Sequence, residues 1–153
     1  AAVREAIRAA LPPGWALVDL HDVWLGAPAA PAAVVAADYR ALVAGPSRAA
    51  LEAACRELLA APTPPRERRR EKRTVAYDLR PLLLALEVRA AGWAGVTVSM
   101  RLRHGPDAVG RPEEVVAALG EPPAPPPAEP LRLVEIVRER LVLGGDPDAP
   151  PPP

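Results

Sequence analysis

The chain has 153 residues, half of them hydrophobic, with 19 basic and 19 acidic side chains and a formal net charge of zero. That length suits one ordinary domain, and the charge balance excludes a wholesale electrostatic pull toward nucleic acid or an anionic membrane. No apolar run approaches the roughly 18 residues of a membrane-crossing helix, so no membrane is expected as a partner. The single Cys55 excludes an internal disulfide and suits a reducing, cytoplasmic location.

The core must be built without large rings. There is no Phe, and the aromatics are Trp15, Trp24, Trp93, Tyr39 and Tyr77. Packing rests on Leu, Val and Ala, which remove less area from water per residue at about 25 cal/mol per Å². Modest stability is expected unless another domain or subunit covers a face.

Residues 2–11 put Val3, Ile7, Ala10 and Leu11 on one helical face, and Pro12, Pro13 and Gly14 stop that helix. Residues 15–20 (WALVDL) read as a short strand, and 26–33 as a loop. Residues 34–44 (VVAADYRALVA) read as a strand ended by Gly45 and Pro46. Ser47 is an N-cap for a helix to about 60, whose stripe is Leu51, Cys55, Leu58 and Leu59. A charged loop is expected over 66–72, then a strand over 73–79. After Pro81, residues 82–90 read either as continuing strand or as one helical turn first. The GWAG at 92–95 closes a hairpin onto 96–103, where Val96, Val98, Met100 and Leu102 alternate with Thr97, Ser99, Arg101 and Arg103. Residues 111–119 read as a helix, with Pro112 near its first position, Glu113 and Glu114 in its first turn, and Gly120 as its stop. Residues 131–143 are the last strand. The Pro-rich pieces cannot form helix or inner strand, because Pro lacks the amide donor. The piece at 122–130 reads as a linker and 144–153 as a disordered tail.

From 34 onward the order is β-α-β-β-α-β, an α+β, ferredoxin-like unit with two helices on one face of an antiparallel sheet. This predicts a domain over 34–143. The helix and strand of 1–25 read as the remnant of a preceding, similar half.

Several strings, taken in order, resemble the C-terminal half of the radical SAM-linked protein family, a bacterial domain fused behind or encoded beside a radical S-adenosylmethionine enzyme. They are Leu11, Pro12, Pro13 and Gly14; then Ala37, Asp38 and Tyr39; then Arg73, Val75, Asp78, Leu79, Arg80 and Pro81, with Tyr77 where that family prefers Val. The later strings are Arg111, Pro112, Glu114, Val115, Ala118 and Leu119, followed by Val137, Arg138 and Leu141. The likeness spans about 11–143, and the family's distinctive basic N-terminal motif has no counterpart here. It implies an accessory module whose partner is a radical SAM protein. That partner would hold the iron–sulfur cluster and S-adenosylmethionine, with no cofactor in this chain. One cysteine cannot itself hold such a cluster.

The run RERRREKR at 66–73 has six basic and two acidic residues. Mixed-sign loops are common surface, so its first reading is a solvated connection. Its second reading is a phosphate-contacting loop using Arg69, Arg70 and Lys72, with salt-sensitive affinity. Arg101 and Arg103, on the polar face of their strand, would extend that patch. This strand lacks the aromatic residues on which RNA bases stack. Asp78 with Arg80, Arg111 with Glu114, and Arg138 are expected to gather at one edge of the sheet, as structural ion pairs and a helix cap or as an anion contact through Arg's fork. Cys55 is read as a small buried hydrophobe. No metal-ligand spacing, phosphate loop or catalytic triad stands out. The leading expectation is therefore a non-catalytic module that recognises a macromolecule, RNA foremost. A protein–protein docking domain is the alternative, and an enzyme in its own right comes third.

Overall fold

The computed structural model describes residues 2–26, 29–60, 66–70, 73–105, 109–121 and 130–151. Its organising strand is β1 (Val34–Ala44), which lies between β5 (Gly95–Arg103) and β6 (Arg132–Leu143), antiparallel to both. Strand β4 (Leu83–Gly92) pairs on the far side of β5, so the four-stranded sheet runs β4-β5-β1-β6. Helices α3 (Arg48–Ala60) and α4 (Pro112–Leu119) complete a β-α-β-β-α-β order, which is the ferredoxin-like fold.

Period-two alternation decides which side is the core. On β5, Val96, Val98, Met100 and Leu102 are buried while the residues between them are half-exposed. The register sets Tyr39 beside Met100, Ala41 beside Val98 and Val43 beside Val96, so β1 presents those side chains to the same face. Against that face pack Leu51, Ala54, Cys55 and Leu58 of α3 and Val115, Val116, Ala118 and Leu119 of α4. Small Ala41 and Ala54 let these layers approach despite the absence of Phe.

The helix boundaries follow the local chemistry. The Ser47 hydroxyl accepts the amide of Ala50 at 3.3 Å, capping α3. Pro112 opens α4 with both acids in its first turn, and the Gly120 amide donates to the Ala117 carbonyl at 3.1 Å beyond its end.

Four local expectations are corrected. Residues 15–20 are not a strand, because no neighbouring strand takes up their backbone groups. The expected loop at 26–33 includes a four-residue helix, α2 (Ala30–Ala33). The expected loop at 66–72 is β2 over Arg66–Arg70, paired with β3 (Arg73–Tyr77) as a separate two-stranded sheet. Consequently 73–79 is not the sheet's second strand; that place goes to β4, which follows one tight helical turn at Arg80–Leu82. The linker reading falls largely on 122–129, outside the described residues. Helix α1 (Ala2–Ala10) forms as expected but buries nothing, and Trp15, Val18, Val23, Trp24 and Leu25 are all exposed.

The β4–β5 hairpin turns at Trp93 and Ala94, with Gly92 paired to Gly95. Gly95 has φ +137, and a Cβ there would stand 2.4 Å from the Val43 carbonyl oxygen, whereas Gly92 faces open space. Gly95→Ala is therefore expected to cost about 2–3 kcal/mol in urea unfolding and Gly92→Ala less than about 1. Equal costs would mean that β1 does not crowd this turn.

Burial pushes the Cys55 thiol up to about 11, and the Glu52 charge adds to the rise. The folded chain then keeps a proton that the unfolded chain, near 9.0, gives up. This contribution to stability is complete below that lower value and is lost as pH rises through the upper one. Urea midpoints measured between about pH 8 and pH 11 should fall more for the natural chain than for Cys55→Ala. Parallel decline would show that the thiol is not buried.

Candidate functional site

The face of the sheet opposite the helices gathers charge. The alternation that sends Met100 inward sends Arg101 outward, and the two registers of β1 place Asp38 opposite both Arg101 on β5 and Arg140 on β6. Arg101 Nε donates to Asp38 Oδ1 at 2.6 Å and its Nη2 to Oδ2 at 2.8 Å. Both partners are only 24% exposed, so this bidentate pair is set into the sheet and not waving in solvent. Beside it, Arg40 Nε donates to Glu139 Oε1 at 2.9 Å. A cleft of about 230 Å³ opens against the row, lined by Asp38, Glu87, Arg89, Ser99 and Arg101 among others.

The residues after β6 return across this face. Arg101 Nη2 reaches Asp148 Oδ2 at 2.8 Å and its Nη1 the Asp148 carbonyl at 2.9 Å. Arg140 forks onto the same carboxylate, Nη1 to Oδ2 and Nη2 to Oδ1, both at 3.0 Å, and its Nη2 also meets Asp146 Oδ2 at 3.0 Å. Arg103 Nη1 donates to the Pro151 carbonyl at 3.0 Å. Residues 144–151, whose prolines predict disorder, are thus seated by two aspartates on Arg101 and Arg140 and by the Pro151 carbonyl on Arg103. The hydrogen bonds from Asp38 and then Asp148 raise the Arg101 guanidinium further above its ordinary range, outweighing its partial desolvation. Asp148 and then Asp146 raise Arg140 in the same way. Conversely, Arg101 and then Arg140 hold the Asp148 carboxyl below 3.8, so its hold on the segment is complete above that pH and fades as pH falls further.

The residues expected at a common edge divide. Four of them, Asp78, Arg80, Arg111 and Glu114, lie at the end of the sheet where β4 begins and β5 finishes; Gly110 sits against Leu82 and Leu102 there. Arg80 is spent on structure, its Nε donating to the Leu59 carbonyl in the last turn of α3 at 3.1 Å and its Nη1 to the Leu83 carbonyl at 2.8 Å. Asp78 Oδ1 accepts the Arg80 amide at 2.9 Å, which shapes the turn into β4. Glu114 accepts the Tyr77 hydroxyl, tying α4 to β3. Arg111 is exposed at the head of α4 with no ion pair among the described residues. Arg138 stands apart on β6, paired with Tyr39, exposed and likewise without an ion pair among the described residues. Arg69 and Arg70 lie on β2, in register with Thr74 and Arg73, and Lys72 lies outside the described residues.

Sequence reasoning missed Asp38 as the partner of Arg101, and Arg140 as the second arginine opposite Asp38, because only the strand register brings them side by side. It missed Asp146 and Asp148 because the surrounding prolines concealed them. Among the described residues, no group of three or more His, Cys, Asp and Glu is placed to hold a metal ion.

A model of a bacterial family described as "Uncharacterized protein conserved in bacteria (DUF2344)" matches residues 1–112. No curated protein and no solved structure matches the chain.

Asp38→Asn is expected to cost about 1–2 kcal/mol in urea unfolding, between the worth of surface and fully buried pairs. Glu52→Gln, which breaks the exposed Arg48–Glu52 pair within one helix, is expected to cost less than about 0.5 kcal/mol. Equal effects would reduce the Asp38–Arg101 pair to an ordinary surface contact.

Proposed function

This chain belongs to the bacterial family DUF2344, and we propose that it works as a non-catalytic accessory module of a radical SAM enzyme system, recognising a macromolecular substrate, RNA foremost, through its arginines. The link to a radical SAM enzyme rests on the ordered strings from Leu11 to Leu141. On this reading the iron–sulfur cluster and S-adenosylmethionine belong to the partner enzyme.

The observation that carries the RNA reading is the exposure of Arg111 and Arg138 without an ion pair among the described residues. A guanidinium with no internal partner keeps its planar fork available for a phosphate. Arg111 also stands at the head of α4, where the helix end favours negative charge. Because net charge is zero, affinity must come from such local groups and be modest.

A protein–protein docking domain is the second reading. It is favoured by the exposed apolar side chains of Trp15, Val18, Val23, Trp24 and Leu25, which contribute nothing to the core. Five such side chains within eleven residues are the apolar area a contact surface needs.

The RNA reading is tested by titrating a labelled RNA hairpin across a salt series. Arg111→Ala and Arg138→Ala should each weaken binding evenly across sequences and flatten the log–log salt slope by about 1. Weak binding that ignores salt would remove the RNA reading. The docking reading predicts that the radical SAM protein is recovered in a pull-down by the natural chain and lost with Trp15→Ala/Trp24→Ala. Recovery of nothing by the natural chain would count against it.

A further inference from the structure

We infer that the open face of the sheet is a phosphate-binding face for an RNA backbone, and that the segment following β6, residues 144–151, occupies it through Asp148 as a competitor that RNA must displace. This rests on the RNA reading above and adds to its Arg111 and Arg138 a second set of phosphate contacts and a control.

The geometry is that of an anion site already filled. Two guanidinium groups from different strands converge on one carboxylate: Arg140 with both terminal nitrogens at 3.0 Å and Arg101 with one at 2.8 Å. Such a double fork suits two oxygens of a phosphodiester as well as two of a carboxylate. The Arg101 half of the receptor is stiff. Arg101 is locked by Asp38 from beneath, and both strands are paired along their length. Little ordering remains to be done when a ligand arrives.

The occupant is held less firmly than Arg101. None of residues 144–151 is buried, and the Asp148 side chain is 43% exposed. Exposed ion pairs contribute little and are screened by salt. Gly144 and Gly145 precede the segment, and a side chain at Gly145 would meet nothing, so the chain has a point at which to swing away. Lifting the segment changes the electrostatic sign of the face. Seated, Asp38, Asp146 and Asp148 match Arg101, Arg103 and Arg140; lifted, Asp38 is left against those three arginines while the Arg40–Glu139 and Arg89–Glu87 pairs beside them stay balanced.

A site open for only a fraction of the time has its apparent affinity reduced by that fraction. The test uses the full chain, a short fluorescein-labelled single-stranded RNA at low salt, and the variant Asp146→Asn/Asp148→Asn. A charge-matched control, Glu5→Gln/Asp22→Asn, removes the same two charges away from the face. The aspartate variant should bind about tenfold more tightly than the natural chain, and the control should change binding by less than about threefold. In the natural chain, saturating RNA should speed hydrogen exchange at the Leu143 and Gly144 amides, which donate to Asp146 and to the Ala33 carbonyl. If the natural chain and both variants bind RNA equally and exchange at these amides does not rise, the competitor is refuted while the RNA reading stands. Tightening by the control as large as that of the aspartate variant refutes it too, by reducing the effect to net charge. If none of the three binds RNA, both the inference and the reading beneath it fail.

Discussion

The register of β1 between its two neighbours is the constraint on which the rest of the structure depends. A strand's side chains alternate with a period of two, so one choice of register settles both faces at once. Here it sends Tyr39, Ala41 and Val43 to the helices and Asp38 and Arg40 to the other side. The same choice aligns Met100 with the core and Arg101 with Asp38. The hydrophobic layer and the charged row are therefore one decision seen from two sides. A slip of one residue would part Asp38 from Arg101 and set it opposite Met100, which puts either a lone carboxylate in the core or Met100 outside it, and neither could be tolerated in a core with no Phe to spare.

The topology explains why the charged row is accessible at all. Both helical crossovers lie on one side of the sheet, α3 over β4 and α4 over β1 and β6. Neither α3 nor α4 packs on the opposite face. The short segment after β6 returns over it, fastened by aspartates. Ala36 and Val142, paired near the end of that face, are fully buried yet stand apart from the main core. The arginines at the other location have a different destiny. Arg80 closes the end of α3 and the start of β4, so its contribution is to hold the scaffold, while Arg111 near it and Arg138 apart on β6 are exposed.

Most of the scaffold was legible in the sequence because its signals are local. The alternation over 96–103, the Ser47 cap, the glycines around Trp93 and the Pro112 start each act within a few residues. What failed were places where the outcome depends on a partner. WALVDL has the composition of a strand but no neighbour to pair with. RERRR has the composition of a loop, yet β3 follows closely enough to pair with it as a hairpin. The charged row was half visible: Arg101 and Arg103 were read on a polar face, but Asp38 and Arg140 belong to strands 63 and 39 residues away along the chain and meet Arg101 only through register and the segment that follows β6. Proline content spoke correctly against helix and inner strand at 147–151, but it carries no information about whether neighbouring aspartates find cations.

The most direct test is a set of cross-strand proton contacts from NMR across β5, β1 and β6. The account predicts contacts that pair Asp38 with Arg101 on one side and Arg140 on the other. Contacts displaced by one residue, pairing Asp38 with Met100 instead, would turn Arg101 toward the helices and contradict it.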